Sequence, residues 1–446
     1  MKSPVIRFVL AASLGATLPL LGAAPDSTQP VPDNLDLKNA VVFALENNFA
    51  IRQARERIKQ QEGIEIQVRA RQLPNVSVGG SYTGNADAIS AYTPPSDSSW
   101  SIALQAKQVL YAGGGVQSSV RSARLVREAA MLELEGVINQ QLLAVRTQFY
   151  TVLLAKQRIG VQEENVNLFQ RQLQDAKNRF DAGTTSNFEV LRAEVALANG
   201  QPPLIQARND YRIAVEQLRQ LLGFVARPGV DLTKTPEITG TLAIGQPVTF
   251  ELVDALAAAH ANRPELQQLT RLQEAGEQTV KAKRAGYLPE VDLIGGYDII
   301  RSPLNGAWND RYEGWMGGLQ ASWNVFDGRA TAGRVAEAKS LLEQARLTLA
   351  STDLGIEVQV RQAHSSLNEA WELVQASSKT VEQAEEALRL ANVRYGAGTA
   401  TQLDVLTSQV ALTEARLNQL QAYYGYHVAL ASMRQAIGQA DEFVRS

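Results

Sequence analysis

The residues with chemical potential are few. Three histidines, His260, His364 and His427, are the only imidazoles in the 446-residue chain, and they stand far apart. Their spacing neither gathers ligands about a metal ion nor pairs a base with a nucleophile. The sequence has no cysteine, which excludes disulfides, thiolate sites, a thiol nucleophile and a lipid-modified N-terminal cysteine. Carboxylates abound along helix-forming stretches, where charge is ordinarily a solvated face. No phosphate-cradling glycine loop follows a strand pattern, and no nucleophile elbow is present. The expectation is a protein that is not an enzyme and takes no cofactor. A formal charge of −3 offers no basic excess for nucleic acid. Two related segments, 180–191 and 395–406, stand out: each ends in an acidic residue (Glu189, Asp404) followed by Val-Leu.

Residues 1–24 read as a secretory leader. Lys2 and Arg7 precede an apolar run from Phe8 to Leu21, and small residues Gly22, Ala23 and Ala24 follow. Removing Lys2 and Arg7 takes the 43 basic residues to 41 against 46 acidic ones, a charge of −5. Beyond Pro25 no apolar run reaches the ~20 residues that a membrane helix needs. A membrane-embedded part of this chain would have to be built from strands.

The chain repeats itself at an offset of 215 residues. Leu73-Pro74 returns as Leu288-Pro289, Trp100 as Trp315, Tyr111-Ala112-Gly113 as Phe326-Asp327-Gly328, and Leu222-Gly223 as Ile437-Gly438. Two copies of one unit are expected, at 25–223 and 250–438, with a Pro/Gly-rich linker at 224–249 and a tail at 439–446. Each unit reads helix, strand, loop, strand, long helix, turn, helix. The first helix should span about 35–71 and 250–286 and stop before the proline. The longest should span about 115–181 and 330–396, both free of proline and rich in strong helix formers. Leu168, Phe169, Leu173, Ala176 and Phe180 recur at three- and four-residue spacing, as in a coiled-coil seam. Sixty-seven residues at 1.5 Å rise would extend ~100 Å, so such helices must pack side by side.

Between the helices the period becomes two. Val76, Val78 and Tyr82 oppose Ser77 and Ser81, and Trp100, Ile102 and Leu104 oppose Ser101, Gln105 and Lys107. In the second unit Val291, Leu293, Tyr297 and Ile299 oppose Asp292 and Asp298, then Trp315, Leu319, Ala321, Trp323 and Val325 alternate with polar residues. Runs of this length suit membrane strands, apolar toward lipid and polar within. Trp100, Trp308, Trp315 and Trp323 cluster there, and with Tyr82 and Tyr297 they are candidate interface aromatics. Polar loops at 83–99 and 300–314 suit the external side. Four strands cannot close alone, and lipid tolerates no open edge. Two copies would give a side-chain-filled barrel and three an aqueous passage.

This arrangement resembles the TolC-like outer-membrane efflux family. The run Tyr395-Gly396-Ala397-Gly398-Thr399, followed by Asp404-Val405-Leu406, is similar to that family's periplasmic-tip signature, and 180–191 is a looser copy. The resemblance implies a mainly α chain with a membrane β-barrel portion: a homotrimer with a twelve-stranded barrel, four strands per chain, in outer-membrane lipid, continued by a coiled-coil helical barrel. It also implies a periplasmic adaptor and an inner-membrane transporter as partners. The implied tunnel constriction is Asp404, Glu189, Tyr395, Thr407 and Arg192. Thr407 and Arg192 stand where the family often has a second acidic residue. Asp404 could instead serve only the helix N-terminus. The implied docking turns are Gly183, Thr184, Val190 and Leu191 with Gly398, Thr399, Val405 and Leu406. Gly183 and Gly398 can adopt positive φ where a helix ends, and the threonines after them can cap the next helix. Gly200-Gln201-Pro202-Pro203 should break or kink the first hairpin only. The competing reading, a periplasmic coiled-coil adaptor or scaffold with soluble β-domains, explains the helices but not the tryptophan placement. Four methionines and three scattered histidines give no sign of a metal cargo.

Overall fold

The computed structural model describes residues 34–84, 98–224, 236–301, 311–439, 441 and 443. The expected leader, Trp308 and most of the two expected loops lie outside these residues, as do parts of the linker and tail. The first repeat contains β1 (Asn34–Leu35), α1 (Leu37–Asn47), α2 (Phe49–Arg69), β2 (Asn75–Gly84), β3 (Ser98–Ala112), α3 (Gly115–Asp181) and α4 (Asn187–Leu222). After β4 (Glu237–Ile238) come α5 (Leu252–Asn262), α6 (Pro264–Arg284), β5 (Glu290–Arg301), β6 (Arg311–Ser322), α7 (Ala330–Gly396) and α8 (Gln402–Ala436). The duplication is visible residue by residue: Leu37 and Leu252, Phe49 and Pro264, Asn75 and Glu290, Gly115 and Ala330, and Asn187 and Gln402 start matching elements 215 apart.

Three expectations need correction. The helices expected at 35–71 and 250–286 are each two. At Asn48 the backbone leaves the helix (ψ 128°), and its side-chain oxygen accepts from the Ala50 and Ile51 N–H groups, starting α2 afresh. Arg263 is extended because Pro264 follows it. Second, α4 runs unbroken through Pro202 and Pro203. Proline removes the donors to the Ala198 and Asn199 carbonyls, but Ala198, Asn199, Gln201, Pro202 and Pro203 are all exposed, so water can take their place. On the other side Gly200 lies flat against Phe169, where a Cβ would come within 2.8 Å of the ring. Third, β6 ends at Ser322, so Trp323 and Val325 lie beyond it, while Arg311 to Gly314, expected in a loop, belong to the strand.

The long strands form one antiparallel sheet in the order β2-β3-β5-β6. Its register places Tyr82 opposite Trp100, Leu104 opposite Tyr297, and Tyr297 opposite Trp315. By alternation Val76, Val78, Ile102, Leu293 and Leu319 share that apolar face, and Ser81, Ser101, Gln105, Lys107, Asp292 and Asp298 share the other. The apolar face is open: Val78 is 73% exposed, Leu319 68% and Trp315 81%. β2 and β6 each lack an outer partner among the described residues. β1 and β4 form a two-residue parallel pair, too short for periodicity to reveal.

The helical core is split like the sequence. One cluster packs Phe43 and Ala44 of α1, Val145, Phe149 and Val152 of α3, and Val215 and Leu218 of α4 against Ile238 and Leu242. Its counterpart packs Ala255 and Ala259 of α5, Ile356 and Val360 of α7, and Tyr426 and Met433 of α8. Among the described residues no helix is long and apolar enough to cross a membrane, which bears on helices alone.

Candidate functional site

The two hairpin tips, α3 into α4 and α7 into α8, close by the same backbone device. Gly183 (φ +71°) and Gly398 (φ +74°) are left-handed, and neither would meet anything within 4 Å if it carried a Cβ. Thr184 and Thr399 then donate backbone N–H bonds of 2.9 Å to the Arg179 and Arg394 carbonyls, satisfying orphan acceptors at the helix ends. Their hydroxyls donate to the same carbonyls, at 2.9 and 3.1 Å, so these threonines finish the preceding helix rather than start the next.

The next helices start differently. Thr401 accepts from the Asp404 N–H, and the Asp404 carboxylate accepts from the Thr401 N–H at 2.7 Å and its hydroxyl at 2.8 Å, a complete capping box. These bonds, the backbone one foremost, hold the Asp404 carboxyl below the usual range. In the first tip Ser186 makes no side-chain cap, and Glu189 accepts instead from the Thr185 hydroxyl. The acidic residues that the sequence pairs therefore play unequal local parts.

The tips are joined across the chain. The Arg179 guanidinium lies 4.5 Å from the Tyr395 ring centroid. Burial pushes the Tyr395 phenol upward, Arg179 opposes the rise, and Glu189 adds to it. Tyr395 and Glu189 are thus brought together, whereas Asp404 is engaged with Thr401. Arg192 lies over the Phe188 ring at 4.6 Å, and Thr407 is exposed on α8. Of the docking candidates, Gly183, Thr184, Leu191, Gly398 and Thr399 are exposed. Val190 packs with Ala176 and Ala193, Val405 packs with Leu388 and Leu412, and Leu406 is buried, so these three hold the hairpins together.

Behind the second tip a cleft of about 250 Å³ is lined by Gln172, Asp175, Tyr395, Gln402, Val405 and Gln409. Gln409, 1% exposed, accepts from Gln172 at 2.6 Å and donates to the Asn165 side chain at 3.1 Å, to which Thr413 also donates. This polar seam between α3 and α8 was not foreseen. Its only sequence signal is polar residues at seam spacing, which reads the same as a solvated face.

At the strand end, Tyr82 and half-buried Trp100 pair near the loop side, while Trp323 donates to the Tyr287 carbonyl at 3.1 Å on the helix side. Tyr297 and Trp315, with centroids 4.8 Å apart, sit within the strands. Aromatics thus flank the apolar face at two levels.

The outer membrane efflux protein family matches this chain over residues 41–224 and 255–439, one segment per repeat. The alkaline protease secretion protein AprF of Pseudomonas aeruginosa is 25% identical over 305 residues, 68% of this chain and 63% of AprF. The outer membrane protein TolC of Escherichia coli is 25% identical over 396 residues, 84% of this chain and 76% of TolC. The CmeC outer membrane channel of Campylobacter jejuni shares the fold, with a TM-score of 0.77 at 15% identity over 92% of this chain and 88% of CmeC. The soluble adaptor reading falls with these matches. This chain belongs to the outer membrane efflux protein family, whose members are outer-membrane channels rather than enzymes.

Proposed function

We propose that three copies of this chain close their sheets into a twelve-stranded barrel in outer-membrane lipid, continued by a tunnel of the long helices. The trimer serves as the passive exit duct of an inner-membrane transporter, joined to it by a periplasmic adaptor. The observation that carries this reading is the four-stranded sheet, apolar on one face and polar on the other, with the outer edges of β2 and β6 unpaired among the described residues. Lipid admits no such edges. Eight strands would make a barrel filled by side chains, whereas twelve leave a passage for which Ser101, Gln105 and Asp298 are a suitable lining. Adaptor docking falls to the exposed tip surface of Gly183, Thr184, Leu191, Gly398 and Thr399. Glu189 and Asp404, repeated about a three-fold axis, supply the acidic end of the tunnel.

Cross-linking tests the assembly. The chain has no cysteine, so Val78→Cys with Leu319→Cys places one reactive group on each edge strand. A flexible bis-maleimide on intact outer membranes is expected to give a ladder ending at the trimer. A ladder ending at the dimer sinks the twelve-strand barrel.

A further inference from the structure

The end of the chain returns to the long helix of the first repeat. Arg146 on α3 is 8% exposed, and its Nε and Nη2 donate to the two Asp441 carboxylate oxygens at 2.7 and 2.8 Å. The Phe443 ring centroid lies 5.0 Å from the guanidinium carbon, and the Phe443 N–H donates to Asp441 Oδ1 at 3.0 Å. A cavity of about 70 Å³ beside the pair is lined by Leu142, Tyr150, His427 and Arg434 among others. Burial alone would raise the Asp441 carboxyl; bonds from Arg146 and the Phe443 N–H, with the Arg146 and Arg434 charges, hold it below the usual range. A guanidinium buried this deeply needs a counter-ion, and the planar two-bond fork is how arginine recognises a carboxylate. The arrangement occurs once among the described residues. Arg361, which stands 215 positions after Arg146, is exposed, and the sequence has Ala226 where a duplicate of Asp441 would fall.

We propose that this pocket on α3 is a carboxylate-receptor site whose resident ligand is the chain's own Asp441. The tail is then a clasp that fastens the end of the second repeat onto the long helix of the first. Arg146 supplies the recognition, Phe443 covers the open face of the guanidinium, and Arg434 of α8 adds positive charge from the repeat being fastened.

Chemical rescue tests this with the full chain assembled in detergent. Asp441→Ala empties the site without touching the hairpins or the sheet. Its apparent melting midpoint should fall by about 3 °C or more, as expected when a buried charge loses its partner. Excess sodium formate should restore much of the loss, and sodium chloride at equal concentration should not. A nitroxide on Gln439→Cys, an exposed position and the sole thiol in the protein, should be immobile in the parent and mobile in Asp441→Ala, with or without formate. An unchanged midpoint, or a loss that formate repairs no better than chloride, overturns the receptor site. A label as immobile in the variant as in the parent overturns the clasp.

Discussion

Asn48 and Arg263 hold equivalent positions in the two repeats, and each donates into the carbonyl end of the second hairpin helix of its own repeat. Asn48 Nδ2 donates to the Leu221 carbonyl at 2.7 Å; Arg263 Nη1 donates to the Gln435 and Ala436 carbonyls at 3.4 Å each. Leu221 and Ala436 are themselves 215 residues apart. The amide also caps α2, which the guanidinium cannot do for α6; there Pro264 needs no donor satisfied, and Arg263 is held by Glu265 at 3.0 Å. Asn48→Ala should therefore cost about 1–2 kcal/mol through the lost cap and the orphaned carbonyl. Urea denaturation would check it, and a variant as stable as the parent would show both bonds to be dispensable.

Two glycines of closely similar φ, +74° at Gly398 and +77° at Gly223, should respond unequally to alanine. Gly398→Ala meets open space and should cost only the left-handed penalty, ~1–2 kcal/mol. Gly223 is also left-handed (φ +77°), but its added Cβ would stand 2.4 Å from the Asn47 carbonyl oxygen, so Gly223→Ala should cost clearly more. Equal shifts in melting midpoint would count against that packing. A β-branched residue at Gly398 is expected to lower export while leaving trimers intact, read by efflux assay and native electrophoresis.

The second tip should loosen in acid. The folded Asp404 carboxyl lies below its ordinary value, mainly through the Thr401 N–H and then the Thr401 hydroxyl. Its contribution is complete above the unfolded value, about pH 4, and is lost as pH falls through the lower folded value. A nitroxide on Ala400→Cys should gain mobility below about pH 4. Adding Asp404→Asn should leave it mobile at every pH. A parent label unchanged by acid would mean that the capping box does not hold the turn.

If three tips converge on one axis, Asp404 and Glu189 make an acidic mouth that attracts hydrated cations. Asp404→Asn should then weaken cation preference and block by trivalent cations in reconstituted channels. Assembly should survive even with the turn loosened, since Asp404 is exposed and buried Val405, Leu406 and Leu412 hold the hairpin. Selectivity and block equal to the parent's would leave Asp404 with the capping box alone.

The helical plan was legible because long proline-free stretches and a fixed offset are properties of the chain itself. Both 67-residue helices, α3 and α7, fall where the sequence places them. The sheet was legible too, since Val78, Leu104, Tyr297 and Leu319 alternate with polar neighbours. What escaped depends on partners distant in sequence. The exposure of Pro202 and Pro203 makes their lost bonds tolerable, and only the packed hairpin reveals which side faces water. The Arg179–Tyr395 contact and the Gln409 seam cross between repeats, where local pattern carries no signal. Arg329, left-handed at φ +73° where the first repeat has Gly114, is likewise invisible to propensity; the Asp327 carboxylate, which accepts from the Arg329 and Thr331 N–H groups, supports the turn there.

The outer strands carry the most glycine: Gly79, Gly80 and Gly84 lie on β2 and Gly314, Gly317 and Gly318 on β6, against Gly295 and Gly296 on β5 and none on β3. Glycine is a poor strand former. A bare, well-formed edge would template pairing with any extended chain it met. Pliant edges hold that shape weakly until a complementary neighbour supplies the missing ladder. Reluctance to pair thus becomes a safeguard for the newly exported protomer during its search for its own kind, and mutations that stiffen β2 or β6 would endanger the journey more than the destination.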